Sequence, residues 1–409
     1  MNTLLTISMI TREALRVLEN NLTFTKQINR QYDDKFGVEG AKIGTVLNVR
    51  KPPRYLGRTG QALQVEGATE TQVPVTLNTQ FGVDLQFSSQ DLALSIDDFS
   101  DRFIKPAIAT IANKIDADGL ALYTSIYNAI GKPGTTSGTG SIDDLFTYLS
   151  AGVRLDNGAC PMDGLRSIVL TPFAQASIVN ALKTLFQQAS AIASQYVKGQ
   201  MGTAAGFDWY MDQNCATHTT GTIAAASATV NGANQTGSSI ATTGWTSGDT
   251  LKIGDIVQFA GVYSVNPQSR QSTAILQDFV ITADVTTTTT ATLSISPSII
   301  VSGANQTVSN SPASGASVQV WGSATTSTYS NKTSPQSMAF HRDAFTLVTA
   351  DLPLPGGVDM AARVSDKQLG MSIRMIRAYD INTDLFPCRL DILYGWATLR
   401  PELACRIAG

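Results

Sequence analysis

Apolar residues recur at near-helical spacing at Ile10, Ala14, Val17 and Leu18, which predicts a short amphipathic helix over residues 9–22. Thr11 suits its N-cap, and Glu13 falls in the first turn, where the helix dipole favours an acid. After Gly37 and Gly40 the period becomes that of strands. Residues 46–50 read as one strand, stopped by Lys51, Pro52 and Pro53 because proline removes ladder donors. Residues 71–78 read as a second. The pair predicts a long β-hairpin arm with its tip near 54–70. Its strands alternate too weakly to own a core, so the arm is expected to lie on something else.

The strongest helical pattern spans residues 96–130. Phe99, Phe103, Ile104, Ala107, Ile108, Ile111, Ile115, Leu120, Leu122, Ile126 and Ile130 trace an apolar stripe over adjoining faces. Ser95 or Asp97 can cap its start, and Asp97, Asp98 and Asp101 load its positive end. Pro106 removes a helical donor and predicts a kink or break. At ~1.5 Å per residue this helix would run on the order of 50 Å. Glycines from Gly131 to Gly140 end it. Beyond them, Ser141 to Asp144 open a second helix, and 167–170 form a buried strand. Thr171 then caps, and Pro172 begins, a third helix over roughly 172–186.

The pattern changes again from 211 to 335, a Ser/Thr/Gly-rich stretch whose basic residues are Lys252, Arg270 and Lys332. Short strands at 255–260, 278–283 and 292–295 are divided by Gly, Pro and Asn, as in a small barrel or sandwich. A phrase recurs, once from Val230 to Thr236 and again from Val301 to Thr307, and reads as two similar turns of one β domain. From Met338 the mixed pattern returns. The middle is therefore expected to be a β domain inserted into a larger scaffold.

A chain of 409 residues with 43% hydrophobic and 15% charged residues buries a large core while presenting little charge. Its 29 basic and 32 acidic residues give a net charge of −3, with no Lys/Arg block. That balance argues against tight electrostatic DNA binding, and leaves room for a container that encloses DNA without gripping it. The start of the chain lacks a basic signal region, and Arg12, Glu13 and Arg16 interrupt any membrane span, so cytoplasmic synthesis is expected. Cys160, Cys215, Cys388 and Cys405 form no C-x-x-C pair and read as buried thiols.

No catalytic constellation emerges. The two histidines, His218 and His341, are far apart in sequence, and no serine lies in a G-x-S-x-G elbow. Gly131-Lys132 lacks the rest of a phosphate loop, with Pro133 in place of Ser/Thr. No cofactor, metal site or enzymatic activity is expected. Asp97, Asp98 and Asp101 read as helix-end charge before a cation site, and Glu66 and Glu70 as a solvated loop tip. One arrangement does ask for a partner: Arg50, Lys51, Arg54 and Arg58 line the arm, facing the acids Asp97, Asp98 and Asp101 in charge. Either the arm is simply solvated, or one subunit's arm crosses a neighbour's acidic helix start. Exposed pairs contribute ~0–1 kcal/mol each, yet a repeated network fixes register.

Several phrases fall in a telling order. They are the one ending in Ala205-Gly206-Phe207-Asp208, the run from Gly254 to Val262 leading to Val265-Asn266-Pro267, then Ile295-Ser296-Pro297, and a closing segment from Tyr394 to Glu402. Together they resemble the coat proteins of tailed bacteriophages, in the Salmonella podovirus-type family whose core carries an inserted β-barrel. The resemblance implies an α+β chain with the Hong Kong ninety-seven capsid fold. It would divide into an N-terminal arm (1–40), an extended hairpin loop (41–90), and a spine helix with peripheral domain (91–150). An axial domain (151–210), the inserted β domain (211–335) and a return to axial and peripheral domains (336–409) would follow. It further implies self-assembly into hexamers and pentamers of an icosahedral virion shell in the host cytoplasm, around double-stranded DNA bound without sequence specificity. Scaffolding protein, portal and decoration protein are the implied partners, with no membrane. The competing reading is a glycan-binding or adhesion protein, whose sugar site would use Trp245, Trp321, Tyr263, Tyr329 or Phe259.

Overall fold

β-branched residues and turn-forming glycines make strands the prevailing regular structure in the computed structural model. It describes residues 14–18, 22–33, 46–63, 65–67, 70–88, 105–135, 138, 140–182, 202–366 and 370–409. Besides the helical residues 14–18, the described residues include the α-helices Lys105–Leu120 (α1), Leu145–Asn157 (α2) and Pro172–Leu182 (α3). The chain divides into two compact units, the first drawn from Met1–Arg50, Gln72–Gly119 and Phe345–Leu399, the second from the remainder.

The first unit is built on a six-stranded sheet. Its main path runs Asn29–Asp33, Phe345–Ala350, Leu385–Thr398, Met371–Arg377, Met360–Asp366, and Thr79–Ser88 also pairs with Leu385–Thr398. Only the Asn29–Asp33 pairing with Phe345–Ala350 is parallel; the other pairs are antiparallel. Leu390, Ile392 and Tyr394 alternate into the core along the longest strand. Helix α1 is tied to the segment before the first strand by Asp116, which accepts from Thr23 N at 2.7 Å and from Thr25 N at 3.0 Å. The Tyr394 hydroxyl donates to Asp118 at 2.6 Å. Phe24 packs between Phe345 and Trp396, with ring centroids 5.6 and 5.7 Å away. Gly119 makes that packing feasible, because a Cβ there would come within 2.7 Å of both Phe24 and Trp396. Of the expected first helix, residues 14–18 are helical and bury Ala14, Leu15, Val17 and Leu18.

The hairpin arm forms as expected, Val46–Lys51 pairing with Thr71–Thr76. Its inward row does lie on something else: Val75 and Leu77, with Leu47, Val49 and Val73, pack on Val348, Ala350 and Ala397 of the sheet.

The helix expected over 96–130 is corrected at its end. It closes at Leu120, after which Ala121–Ser125 tighten to a 3₁₀ turn and Ala129–Gly131 form a strand. That strand pairs in parallel with Arg406–Ala408, so a ladder partner from the far end of the chain overrides the i, i+4 match of Ile126 and Ile130. Asp97, Asp98 and Asp101, the helix start, and the segment before Pro106 that would show a kink lie outside the described residues.

The second unit holds a seven-stranded mixed sheet and a closed barrel. The sheet runs Ala129–Gly131, Ala404–Ala408, Thr333–His341, Arg166–Leu170, Phe207–Met211, Thr203–Ala204, with Thr217–Thr219 pairing the start of Thr333–His341. The strand expected at 167–170 is Arg166–Leu170, buried throughout. At α3 the expected cap forms, Thr171 Oγ1 accepting from Ala174 N at 3.1 Å. Asp144 caps α2, accepting from Phe146 N at 3.0 Å.

The barrel closes through Ala228–Val230, Gly237–Thr243, Thr290–Ile299, Phe279–Ile281, Ile256–Phe259 and Ser317–Val320. Phe259 and Phe279, centroids 5.4 Å apart, sit in its core. The chain enters and leaves side by side, Thr219 pairing with Thr333 and Thr217 with Pro335. The barrel core is not closed off from the rest of its unit, for Ala408, Tyr127 and Ala129 pack against it. The repeated phrase gives two turns that share a left-handed glycine, Gly232 at φ 99° and Gly303 at φ 92°. They differ at the glutamine: Gln235 Nε2 bonds back to Asn231 O at 2.8 Å, whereas Gln306 Nε2 bonds forward to Val308 O at 2.9 Å.

Candidate assembly interface

The base of the arm sets cations around one carboxylate. Arg54 Nη2 lies 3.0 Å from Glu402 Oε1, which Arg400 Nε also approaches at 3.4 Å. Arg54 is therefore engaged within its own chain, whereas the sequence pattern offered it to a neighbour. Arg270 is a structural tie, donating to the carbonyls of Pro267, Gln268, Tyr55 and Ala304. Lys51, Arg54, Arg270 and Arg400 line a cleft of about 810 Å³ in which Glu402 is the acid. Burial holds the Lys51 ammonium below its ordinary value, Glu402 opposes the shift, and Arg54 and Arg400 add to it. Arg50 is exposed on the strand, and Arg58 is exposed near the tip, where it donates to Gly60 O. Glu66 organises the tip by accepting from Leu56 N at 2.8 Å.

A second polar cluster joins the barrel to its own unit. Asp255 and His218 are both buried, with His218 Nε2 2.9 Å from Asp255 Oδ1. The carboxylate partner assigns the proton to Nε2, so Nδ1 accepts from the Tyr123 hydroxyl at 3.2 Å. Asp255 Oδ2 accepts from Gly221 N at 3.0 Å and Lys252 N at 2.8 Å. Arg406 donates to Gly254 O and lies over the Trp321 and Tyr123 rings, 4.7 and 5.7 Å from their centroids. Burial pushes the Arg406 guanidinium down to about 10, against the attraction of Asp255, Tyr123 and Asp278. Burial pushes the Asp278 carboxyl up, opposed by Arg154 at 3.3 Å, by Gln258 and by Ala129 N. Sequence reasoning missed Arg406, Asp278 and Arg154. The signal for Asp255 was its place after Gly254 in a recognisable phrase, but an isolated arginine near a chain end carries none.

The residues weighed for chemistry are structural. His341 Nε2 meets Asp163 at 3.2 Å, and its Nδ1 accepts from Asp343 N at 3.2 Å. Burial pushes the thiols of Cys160 and Cys388 up to about 11 and that of Cys405 up to about 12, which makes them poor nucleophiles. Among the described residues no group of His, Cys, Asp and Glu is arranged to hold a metal ion, and no helix is long and apolar enough to cross a membrane. The aromatics that a sugar site would need are mostly spent on packing, Trp245, Trp321 and Phe259 being buried in the barrel core.

A family model described as "P22 coat protein - gene protein 5" matches residues 52–409. Among solved structures, the chain is similar to one from Mycobacterium phage Che8, at 12% identity and TM-score 0.45 over 94% of this chain and 90% of that one. It is similar to the capsid structure of the cyanophage P-SCSP1u at 9% identity and TM-score 0.46, over 95% and 88% of the two chains. The CUS-3 coat protein I-domain aligns at 25% identity and TM-score 0.19, over 24% of this chain and 96% of the I-domain. No curated protein sequence matches the chain.

Proposed function

The chain belongs to the P22 coat protein family, and from that premise we propose that its copies build an icosahedral shell of hexamers and pentamers around packaged double-stranded DNA. It is the major capsid protein of a tailed bacteriophage, a structural protein of the virion. The observation that carries this is the extent of the family match, which takes in the arm from residue 52, the barrel and the closing strand. The fold we assign is the Hong Kong ninety-seven type, with the arm as its extended loop, α1 in its spine helix and the barrel as its inserted domain. Assembly in the host cytoplasm with a scaffolding protein and a portal, and decoration of the finished shell, belong to the same proposal. A net charge of −3 suits a wall that encloses DNA without gripping it.

We place an intersubunit contact at the arm, where Arg50, Lys51 and Arg58 of one copy meet Asp97, Asp98 and Asp101 of the next. The cleft at the arm base, lined by Lys51, Arg54, Arg270 and Arg400 with Glu402 as its acid, supports this contact. Arg54 contributes to it indirectly, by holding Glu402. A charge exchange tests it: Arg50→Glu with Arg58→Glu should leave the chain folded and block shell formation, and adding Asp97→Lys with Asp98→Lys should restore shells. Normal shells from the first variant would remove the contact.

A further inference from the structure

The two turns made by the repeated phrase differ at one position with chemical consequences. Where the second turn has Ser302 before Gly303, the first has Asn231 before Gly232. An asparagine followed by glycine can close a five-membered ring on itself, because a residue without Cβ leaves the attacking main-chain nitrogen unhindered. The chain holds two such pairs, Asn231-Gly232 and Asn157-Gly158. The fold treats them differently. Asn157 is the last residue of α2, half-buried, and Gly158 N is committed to Arg154 O at 3.1 Å. Asn231 and Gly232 are both exposed, in the turn between Ala228–Val230 and Gly237–Thr243. Among the described residues neither the Asn231 carboxamide nor Gly232 N has a hydrogen-bond partner. Gly232 stands at φ 99° and, its chain neighbours aside, the nearest atom to where a Cβ would sit is Gln235 Nε2 at 3.9 Å. Gln235 holds the rest of the turn: its Nε2 reaches Asn231 O at 2.8 Å and Gly232 O at 3.1 Å, and its Oε1 accepts from Ala241 N at 2.7 Å. This clamp fixes the carbonyls on either side and leaves the reacting nitrogen and carboxamide free.

We propose that Asn231 is a site of spontaneous deamidation on the inserted barrel, selected by the fold over Asn157. Gly232 N bonds to Asn231 Cγ, the bond from Cγ to Nδ2 breaks, and Nδ2 leaves as ammonia with the proton that Gly232 N gives up. Water then opens the cyclic imide at either carbonyl, leaving aspartate, or isoaspartate in which the main chain runs through the former side chain. Each conversion adds one negative charge to a chain of net charge −3. The isoaspartate form also lengthens the main chain by one carbon, so Gln235 can no longer hold both Asn231 O and Gly232 O. The site is a property of the barrel turn and stands independently of the coat-protein reading.

The test holds the full chain folded in mildly alkaline buffer, beside the same chain unfolded in urea. Both are digested with trypsin, which puts Asn157 and Asn231 on separate peptides, and are compared with zero-time samples by mass spectrometry and by isoaspartyl methyltransferase labelling. In the folded chain the Asn231 peptide is expected to gain the mass of amide-to-acid conversion and to accept methyl groups, while the Asn157 peptide stays unchanged. In the unfolded chain both peptides convert. Asn231→Ser, which supplies the residue of the second turn, should lose the folded-chain signal while keeping an unchanged circular dichroism spectrum. A folded chain whose Asn231 stays an amide while the unfolded chain converts would overturn the site. Equal conversion of Asn157 in the folded chain would overturn its selection by the fold, and conversion to aspartate with no isoaspartate would overturn the ring step.

Discussion

The Arg406 guanidinium lies 4.7 Å from the Trp321 ring centroid, so the last strand of the chain clamps a wall of the inserted barrel. Its Nε and Nη1 find no acceptor among the described residues, although the side chain is fully buried. Its Nη2 donates to Gly254 O, and Asp255 and Asp278 attract the charge, so losing the guanidinium leaves buried acceptors uncompensated. Arg406→Met, which keeps the packing between the rings, is therefore expected to cost about 1–3 kcal/mol, and Arg406→Ala, which also opens a cavity there, should cost more than about 3 kcal/mol. Urea unfolding followed by tryptophan fluorescence distinguishes them. Equal losses would mean that the charge, and not the packing, holds the clamp.

Among the described residues His218 gives Asp255 its only side-chain donor, and the two stand at the point where the chain enters the barrel. His218→Phe fills the space but leaves a buried carboxylate oxygen unpaired, with an expected cost of about 1–3 kcal/mol. Tyr123→Phe removes one neutral hydroxyl and should cost about 1 kcal/mol or less. The ordering of the two unfolding midpoints checks the network.

Asp278 has its carboxyl pushed above the ordinary 3.8 by burial. Its folded state holds the proton more tightly than its unfolded state. This group's contribution to stability is thus complete below 3.8 and is lost as pH rises through the raised value. Asp278→Asn should flatten that part of the stability–pH curve, and Arg154, still partly exposed, can turn to water. Unfolding midpoints measured between about pH 3.5 and 7 give the two slopes. Parallel curves would remove Asp278 as a source of pH dependence.

Gly119 sits where a methyl group would strike Phe24 and Trp396. Gly119→Ala should therefore destabilise the first unit by about 1–3 kcal/mol, despite the better helix propensity of alanine. A rise in melting temperature would contradict the packing described around Phe24.

The parts of this fold that could be read from sequence are those whose cause is local. Pro52 and Pro53 ended a strand one residue later than expected, at Lys51; Thr171 and Pro172 opened a helix, and the turn-rich middle became a barrel. What escaped was set by partners distant in sequence. Residues 129–131 carry helical spacing but pair with Arg406–Ala408, and Arg54 carries the look of a free cation but is paired with Glu402. Arg406 itself gave no hint, because its role depends on two rings, Tyr123 and Trp321, that only the fold brings to it. The barrel's separateness was also overdrawn by composition: Ala408, Tyr127 and Ala129 share its core.

That sharing shapes the outcome of excision. Joining Thr219 to Thr333 directly would remove the barrel at adjacent backbone positions, but would strip Arg406 of Trp321 and Gly254. The excised chain is expected to expose this surface and aggregate, and adding Arg406→Ser should raise its soluble fraction. A soluble excised chain with Arg406 intact would show that the clamp is dispensable.

The central claim is that this chain is a shell subunit whose arms join its copies. The most direct measurement is electron microscopy of the chain expressed with a scaffolding protein. Closed or spiral shells with a lattice of hexamers and pentamers are predicted. Dispersed monomers under those conditions would contradict the account.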